Sequence, residues 1–552
     1  MIGVAVQATE RDAAREFFEL CKTPWEFFRH DGNYEVVLST SELCRSAGSR
    51  LVLIFSAACT PFDVENTIAV RAWPAGTVLA FAGRRLPIYG VAATFPSSRD
   101  LIAIEETLRE PALSVHRSAG ATVVRIGYNP FEETRYLLTS GQPTKNAGIP
   151  TLELHCALLR DLITRSGLPF VEIPPVPEGY AFMACLTHDI DHPLLRNHFC
   201  DRTMFGFLYR ATIGSIADVW RGRKPARSML KNWAAACRLP FVYLGLAKDF
   251  WQEFDRYLEI ESGMGSTFFV IPRKDHPGRR RDGPTPGARA SRYDLAQVLP
   301  QLKRIIAAGN EVGLHGLDAW LDAEDGRSER DRVAQAVGTT ELGVRMHWLY
   351  FDDHSPIVLE QAGFSYDSTV GYNETVGYRA GTTQVYRPLG TTQLLELPLH
   401  VMDTAMFYPD YLHLNENEAT RLVGRMMDEV AQFGGVLTVN WHDRSIAPER
   451  LWDDPYRVVL RELRSWGVWF PTATQAVAWF KKRRAAVIEY TQVEPGVISV
   501  RGRFSQSDQQ PGLKIRVHKP RTPTLAEPLA SGATADFVDV RLSDTAELRI
   551  AI

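Results

Sequence analysis

Cysteine is scarce in this chain. Seven of 552 residues are cysteine, none lies beyond Cys237, and no two stand in a Cys-x-x-Cys spacing. That pattern builds neither a disulfide framework nor a thiolate zinc site, so reduced thiols in a cytosol are the expectation. Charge of one sign is also missing. Lys and Arg number 62 against 65 Asp and Glu, for a net charge of −3. A nucleic-acid binder working through bulk charge would be more basic, and that class is excluded. The first residues show no basic stretch followed by an apolar one, so no secretory signal is visible. The longest apolar run, from Leu51 to Cys59, falls far short of the roughly 20 residues that a spanning helix needs. A cytoplasmic protein is the expectation.

What is present is ordinary for globular chains: 45% hydrophobic and 23% charged residues. At about 150 residues per domain the length suggests three or four domains, fewer if one is a barrel. Residues 1–175 mix helical and strand patterns and read as an α/β domain. The segment from Glu172 to Gly179 holds three prolines, which fix φ and remove donors, and it reads as a stiff linker. Residues 176–484 alternate short apolar runs with helical stretches. Ala181–Leu186, Ser266–Pro272, Glu311–His315, Leu394–Leu399 and Gly435–Asn440 are the strand candidates. Leu295–Ala308 and Glu418–Phe433 are helix candidates. Strands separated by helices argue for parallel βα units, and several in series suit a barrel. Residues 485–552 alternate residue types between Gln-, Pro- and Ser-rich turns and read as a small β-sandwich-like domain.

Within the barrel region, 201–240 stands out. Arg202, Arg210, Arg221, Arg223, Lys224, Arg227, Lys231 and Arg238 face only Asp201 and Asp218, with aromatic and aliphatic residues interleaved. Two readings stay open. The segment can lie peripherally on an anionic membrane surface, or it is a helical insertion covering the barrel's flank.

Three constellations can carry chemistry. In Leu186-Thr187-His188-Asp189-Ile190-Asp191-His192 an apolar strand meets two carboxylates at i and i+2. On an extended strand both would face the same side, into a barrel mouth. Two carboxylates permit divided labour, one on a metal and one accepting a proton from water. In Glu311–Trp320 a short strand ends in His315, whose imidazole combined with carboxylates suits Zn²⁺ or a similar ion. In Gly434–Asp443 an apolar strand runs into Trp441 and His442; a cationic histidine there can protonate a leaving group. Each has a plainer alternative: a capped turn, a strand-end histidine in the core, a surface-turn histidine. Charged strand ends on a barrel's C-terminal face favour function.

With these motifs, residues 181–445 resemble the polysaccharide deacetylase superfamily (NodB homology, carbohydrate esterase family 4). The resemblance implies a distorted (β/α) barrel that removes acetyl groups from an amino sugar or polysaccharide precursor with a divalent metal, zinc first and cobalt or nickel as alternatives. The family's Thr-Phe-Asp-Asp-Gly is replaced here by the THDIDH of residues 187–192. The resemblance makes Asp189 the general base and Asp191 a metal ligand. His315 matches the first histidine of His-Ser/Thr-x-x-His, but Ala319 occupies the place of the second, flanked by Asp318 and Trp320. The Arg-x-Pro-Tyr motif stands as Arg345-Met346-His347-Trp348. Arg345 would orient the base carboxylate through a bidentate contact, and His347 would restore a third ligand. His442 would be the general acid. Leu394–Asp403 resembles a further motif, with Asp403 holding an active-site histidine or lining the groove.

Two further stretches, Gly363–Thr382 and Tyr128–Gln142, resemble a branch of deacetylase-like proteins from surface-polysaccharide gene clusters. Arg379 and Trp441 are the substrate-contact candidates, although Arg379 could equally pin a loop. The implied partner is a carbohydrate, which a cytosolic enzyme would meet as a precursor, lipid-linked among the options. The alternatives are a degenerate barrel that binds glycan without hydrolysing it, and a deacylase of a small amide.

Overall fold

The computed structural model describes all residues except 41–43, 45, 47, 119, 495, 505–509, 522–535, 543–546 and 552. The chain divides into two compact units. One comprises Tyr180–Arg379 and Thr383–Ala478; the other comprises Met1–Gly179, Ala380–Thr382 and Trp479–Ile552.

The first of these units is α/β, built on a curled six-stranded sheet, a half-barrel. Its strands are β1 (Met183–Ile190), β2 (Ser266–Val270), β3 (Glu311–Gly316), β4 (Val344–Met346), β5 (Val401–Met402) and β6 (Val436–Asn440), in the spatial order β4-β3-β2-β1-β6-β5. Every neighbouring pair is parallel. Strands of a parallel sheet are covered on both faces, which is why they read as continuous apolar runs. All eight residues of β1 are buried. The registers bring one set of strand ends level: Asp189 pairs with Phe269, Thr187 with Asn440, His315 with Arg345 and Met402 with Asn440.

Local signals fix the helices around the sheet. Asp294 and Gln297 form a capping box that starts Leu295–Ala307, and Asn415 and Glu418 do the same for Glu416–Phe433. Gly434 and Gly435 then take positive φ, and a Cβ at Gly435 would sit 2.4 Å from the carbonyl oxygen of Thr383. Glycine is required there for β6 to begin.

Two strand expectations change. β1 runs on to Ile190, so Asp189 lies inside the strand and not beyond its end. Leu394–Leu399 makes only isolated bridges, Glu396 with Asp367 and Tyr386, and the residues that join the sheet are Val401 and Met402. A short apolar run shows burial but not its pairing partner.

The basic segment is a helical insertion. It consists of Arg202–Tyr209, a π turn at Arg210–Gly214, Ser215–Trp220, and the long helix Ala226–Tyr243. Met204, Phe207, Ala211, Ala235, Leu239 and Val242 form its buried side, against Leu195, Phe250, Trp251 and Ala447. No helix among the described residues is long and apolar enough to cross a membrane.

In the other unit a six-stranded sheet has the order Leu113–Ser118, Ala121–Ile126, Leu51–Phe55, Val36–Ser39, Ile2–Ala5, Trp25–Phe27, parallel apart from its first pair. Helices Arg11–Cys21 and Thr151–Arg165 are tied by a disulfide between Cys21 and Cys156. This corrects the expectation of reduced thiols throughout: the partners stand 135 residues apart, where no spacing rule could pair them. The described strands after residue 485 fall in this unit and take part in two three-stranded sheets. Lys514–His518 pairs with Phe170–Glu172 on one side and Phe537–Arg541 on the other. Val497–Arg503 lies between Val487–Glu494 and Glu547–Ala551.

Candidate active site

The site gathers at the C-terminal ends of the parallel strands. Alternation along β1 turns Thr187 and Asp189 to one face and His188 to the other. On the first face, Arg345 Nη1 donates to Thr187 Oγ1 at 2.7 Å and to Asp189 Oδ1 at 3.0 Å. Asn440 Nδ2 donates to the second carboxylate oxygen, Oδ2, at 2.8 Å. Asp189 is thereby held from both sides in a nearly dry environment, with 4% of its side chain exposed. The expected bidentate contact from Arg345 is corrected: only Nη1 reaches the carboxylate. The other two nitrogens are committed to Ser368, Nε to its carbonyl at 2.9 Å and Nη2 to its hydroxyl at 2.8 Å.

On the opposite face His188 is fully buried. Its Nδ1 lies 2.7 Å from the carbonyl oxygen of Trp441 and its Nε2 2.9 Å from Glu261 Oε1. Glu261 in turn accepts a hydrogen bond from the Tyr456 hydroxyl at 2.6 Å. This network fastens β1 to the end of β6 beneath the site.

Asp191, His315 and His347 converge, with one potential ligand atom from each within 4.8 Å of the others. His315 Nε2 is 3.3 Å and His347 Nε2 3.7 Å from Asp191 Oδ1. The His315 Nδ1–H donates to the carbonyl of Arg345 at 2.9 Å. That bond sets the tautomer and turns the Nε2 lone pair toward the carboxylate, as a metal ligand requires. Asp191 Oδ1 is buried and has no hydrogen-bond partner within the protein. An orphaned carboxylate oxygen facing two imidazoles is the donor set of a divalent-cation site, and two nitrogens with one oxygen suit zinc or its first-row neighbours.

Electrostatics agree with this. Burial opposes ionisation of Asp191, but His347, His315 and His442 outweigh it and hold the carboxyl well below its usual range. Burial keeps His347 neutral, well below the ordinary imidazole value. His347 reaches the cluster because the chain turns sharply after β4, with Trp348 and Leu349 both at positive φ. Neither residue flanking the absent second histidine takes part. Ala319 is buried, Asp318 pairs with His276 at 2.7 Å and accepts the Arg279 N–H at 2.6 Å, and Trp320 lies in the core.

His442 completes the constellation from β6. Its Nε2 is 3.9 Å from Asp191 Oδ2, while Asp403 accepts from its Nδ1 at 2.6 Å and from its backbone N–H at 2.8 Å. Burial disfavours the imidazolium, yet Asp403, with Asp191 and Asp189, raises His442 to about 10. Asp403 thus supports the histidine; the backbone at this point is also braced by the Tyr257 hydroxyl, which donates to the His442 carbonyl at 2.7 Å.

The substrate-contact candidates fare differently. Trp441 is fully buried, stacks on Tyr456 with centroids 4.7 Å apart, and donates its indole N–H to the Trp452 carbonyl. It is a core residue, because on a strand end its side chain points opposite to that of His442. Arg379 donates to the Gly371 carbonyl at 2.9 Å and lies over Phe351, so its contacts brace a loop. Sequence reasoning missed Thr187, Asn440, Ser368 and Glu261. Asn440 carried a signal, a polar amide closing the buried run Val436–Val439. Ser368 and Glu261 carried none, since only the fold brings them in.

No protein-family model matches the sequence, and no curated protein matches it. Among solved structures, the chain is similar to a candidate polysaccharide deacetylase from Mycobacterium smegmatis, at 18% identity over 58% of this chain and 98% of that one, with a TM-score of 0.35. It is also similar to a candidate polysaccharide deacetylase from Pseudomonas aeruginosa PAO1, at 13% identity over 56% of this chain and 94% of that one, TM-score 0.35. A third is a pseudoenzyme of carbohydrate esterase family 4 from Bacillus anthracis, at 14% identity over 42% of this chain and 62% of that one, TM-score 0.25.

Proposed function

We propose that the barrel unit is a metal-dependent hydrolase that removes an acetyl group from an amino sugar or polysaccharide precursor. One observation carries the reading. A base carboxylate, a carboxylate–imidazole ligand set and a carboxylate-backed histidine meet at one end of a parallel sheet.

Asp191, His315 and His347 would hold the divalent ion, zinc being the best match to their chemistry with cobalt or nickel as alternatives. Bound there, such an ion supplies Lewis acidity: it polarises the acetyl carbonyl and makes water acidic near neutral pH. Asp189 then serves as general base. Arg345 and Asn440 fix both of its oxygens, so it receives the water's proton without losing its orientation. His442 enters the reaction protonated, because Asp403 stabilises its cation. From the far side of the cluster it gives the Nε2 proton to the departing sugar nitrogen or oxygen. Asp403 cannot itself reach the substrate and acts by positioning His442.

A carbohydrate substrate is supported by the motif resemblance over residues 181–445, and a carrier-linked precursor is the form proposed. A glycan-binding barrel without hydrolysis is the second reading, favoured by Ala319 in place of a histidine. Against it, His347 supplies the missing nitrogen, and the base and acid are each fully supported. Deacylation of a small amide would use the same residues and differs only in substrate.

The test is elemental analysis of the purified protein together with acetate release from nucleotide- and lipid-linked acetamido sugars. Near-stoichiometric zinc, cobalt or nickel with acetate release supports the reading. Protein that takes up no divalent ion, even in excess, would overturn it in favour of glycan binding.

A further inference from the structure

We infer that the helical hairpin over residues 199–248 is a docking element for an anionic lipid surface. It carries two exposed apolar stripes ringed by positive charge, on the side away from its packed core. On the first arm Phe205, Tyr209, Ile213, Ile216 and Trp220 are all exposed, Trp220 to 85%. On the second arm Leu230, Trp233 and Phe241 are exposed, followed by Leu244 and Leu246 at more than 70% each.

A surface helix of a soluble domain buries its apolar stripe and shows polar residues to water. Here the inward stripe is satisfied already by Trp251, Leu195 and Phe250. The outward stripes are therefore surplus to folding. Contiguous exposed apolar area of this kind marks a binding surface.

Charge identifies the occupant. Within 199–248 the exposed charged residues are Arg202, Arg221, Arg227, Lys231, Arg238 and Lys248, and all are basic. The two acids of the segment are half-buried and committed: Asp201 caps its helix and pairs with His198, and Asp218 faces Lys224. Large apolar and aromatic side chains with Lys and Arg around them match the boundary between acyl chains and anionic headgroups. No helix here is apolar enough to cross, so the hairpin would lie in the interface.

The hairpin is also keyed to the site. Lys224 donates to the carbonyl of Arg450, Asn232 to that of Pro448, and Ala447 belongs to its core, all in the loop that begins at His442. Docking would bring the mouth of the barrel to the bilayer.

The experiment is cosedimentation of the full-length protein with vesicles of phosphatidylcholine alone and of phosphatidylcholine mixed equally with phosphatidylglycerol. Binding to the mixed vesicles, falling with salt, is expected, with much weaker binding to the neutral ones. The double variant Ile213→Asp, Trp220→Asp is expected to lose about tenfold or more in partitioning. Arg227→Glu with Lys231→Glu is expected to weaken binding to mixed vesicles only. All these side chains are exposed, and an unchanged thermal midpoint checks that each variant is folded. No binding to mixed vesicles, or binding unchanged in both variants, overturns the inference. So does a wild-type dimer by light scattering that the aspartate variant makes monomeric, because a second copy would then be the occupant.

Discussion

Asp403 accepts two hydrogen bonds from His442, one from Nδ1 at 2.6 Å and one from the backbone N–H at 2.8 Å. A single buried carboxylate thus sets the position, the tautomer and the charge of the proposed acid. Loss of the imidazole should remove an interaction made in the transition state, not in substrate binding. His442→Ala is expected to lower kcat by roughly 10²- to 10⁴-fold with little change in KM. Asp403→Asn keeps the shape but not the charge, and should also lower kcat while moving the alkaline limb of the pH–rate profile down. An unchanged kcat in His442→Ala would return that histidine to a structural role.

Asp189 Oδ2 stands 3.9 Å from His315 Nε2, beyond hydrogen-bond reach, and its two oxygens are held by Arg345 and Asn440. Asp189→Asn should therefore abolish turnover while leaving bound metal at the wild-type level by elemental analysis. Full activity in the variant would remove Asp189 from the role of base.

The ligand set makes a separate prediction. Asp191→Ala combined with His315→Ala should lose the metal, and His347→Ala alone should weaken metal affinity by at least about tenfold in calorimetric titration with Zn²⁺. Full affinity in His347→Ala would mean that the residue in the position of the motif proline is not the third ligand.

The Cys21–Cys156 pair is open to a chemical test. Under denaturing, non-reducing conditions five thiols should react, and seven after reduction. Chain-entropy arguments for a loop of 135 residues allow on the order of 5 kcal/mol, and measured disulfides more often contribute about 2–4. Cys21→Ser should accordingly lower the thermal midpoint of its unit. Seven reactive thiols without reductant would show that the pair does not form.

Glu329 accepts the backbone N–H groups of Leu317 and Asp318, both at 2.9 Å, just beyond His315. Burial raises its carboxyl from 4.5 to about 7, with Asp318 adding to the rise and the two N–H groups opposing it. The folded state keeps this proton to about pH 7, whereas the unfolded chain releases it near 4.5. Stability from this group is thus complete below 4.5 and declines as pH rises to about 7, by about 3 kcal/mol. Glu329→Gln should lose less of its thermal midpoint than wild type between pH 4.5 and 7. Parallel curves for the two proteins would contradict the assignment.

Much of the site was legible because strand ends leave a local signature. An apolar run that stops at a charged residue marks the rim of a buried parallel sheet, and Asp189, Asp191, His315 and His442 all bear that mark. Arg345, His347 and Asp403 came from motif resemblance, and the structure brings each to the same rim. Trp441 misled for the same reason that His442 did not: adjacent residues on a strand face opposite ways, and one of the two had to enter the core.

The sequence by itself determined which segments are buried and that a basic amphipathic stretch interrupts the barrel, but it ended the first strand four residues short of Ile190. These depend on hydrophobic period and on turn chemistry within a few residues. Tertiary structure alone decided that His347 stands beside His315, through the pairing of His315 with Arg345 and the positive φ of Trp348. It decided that Ser368 occupies two of the three guanidinium nitrogens of Arg345, that Cys21 meets Cys156, and that Phe170–Glu172 pairs with Lys514–His518. Each of these joins residues far apart in the chain. Such contacts form only when whole elements pack, and no local pattern encodes which element arrives.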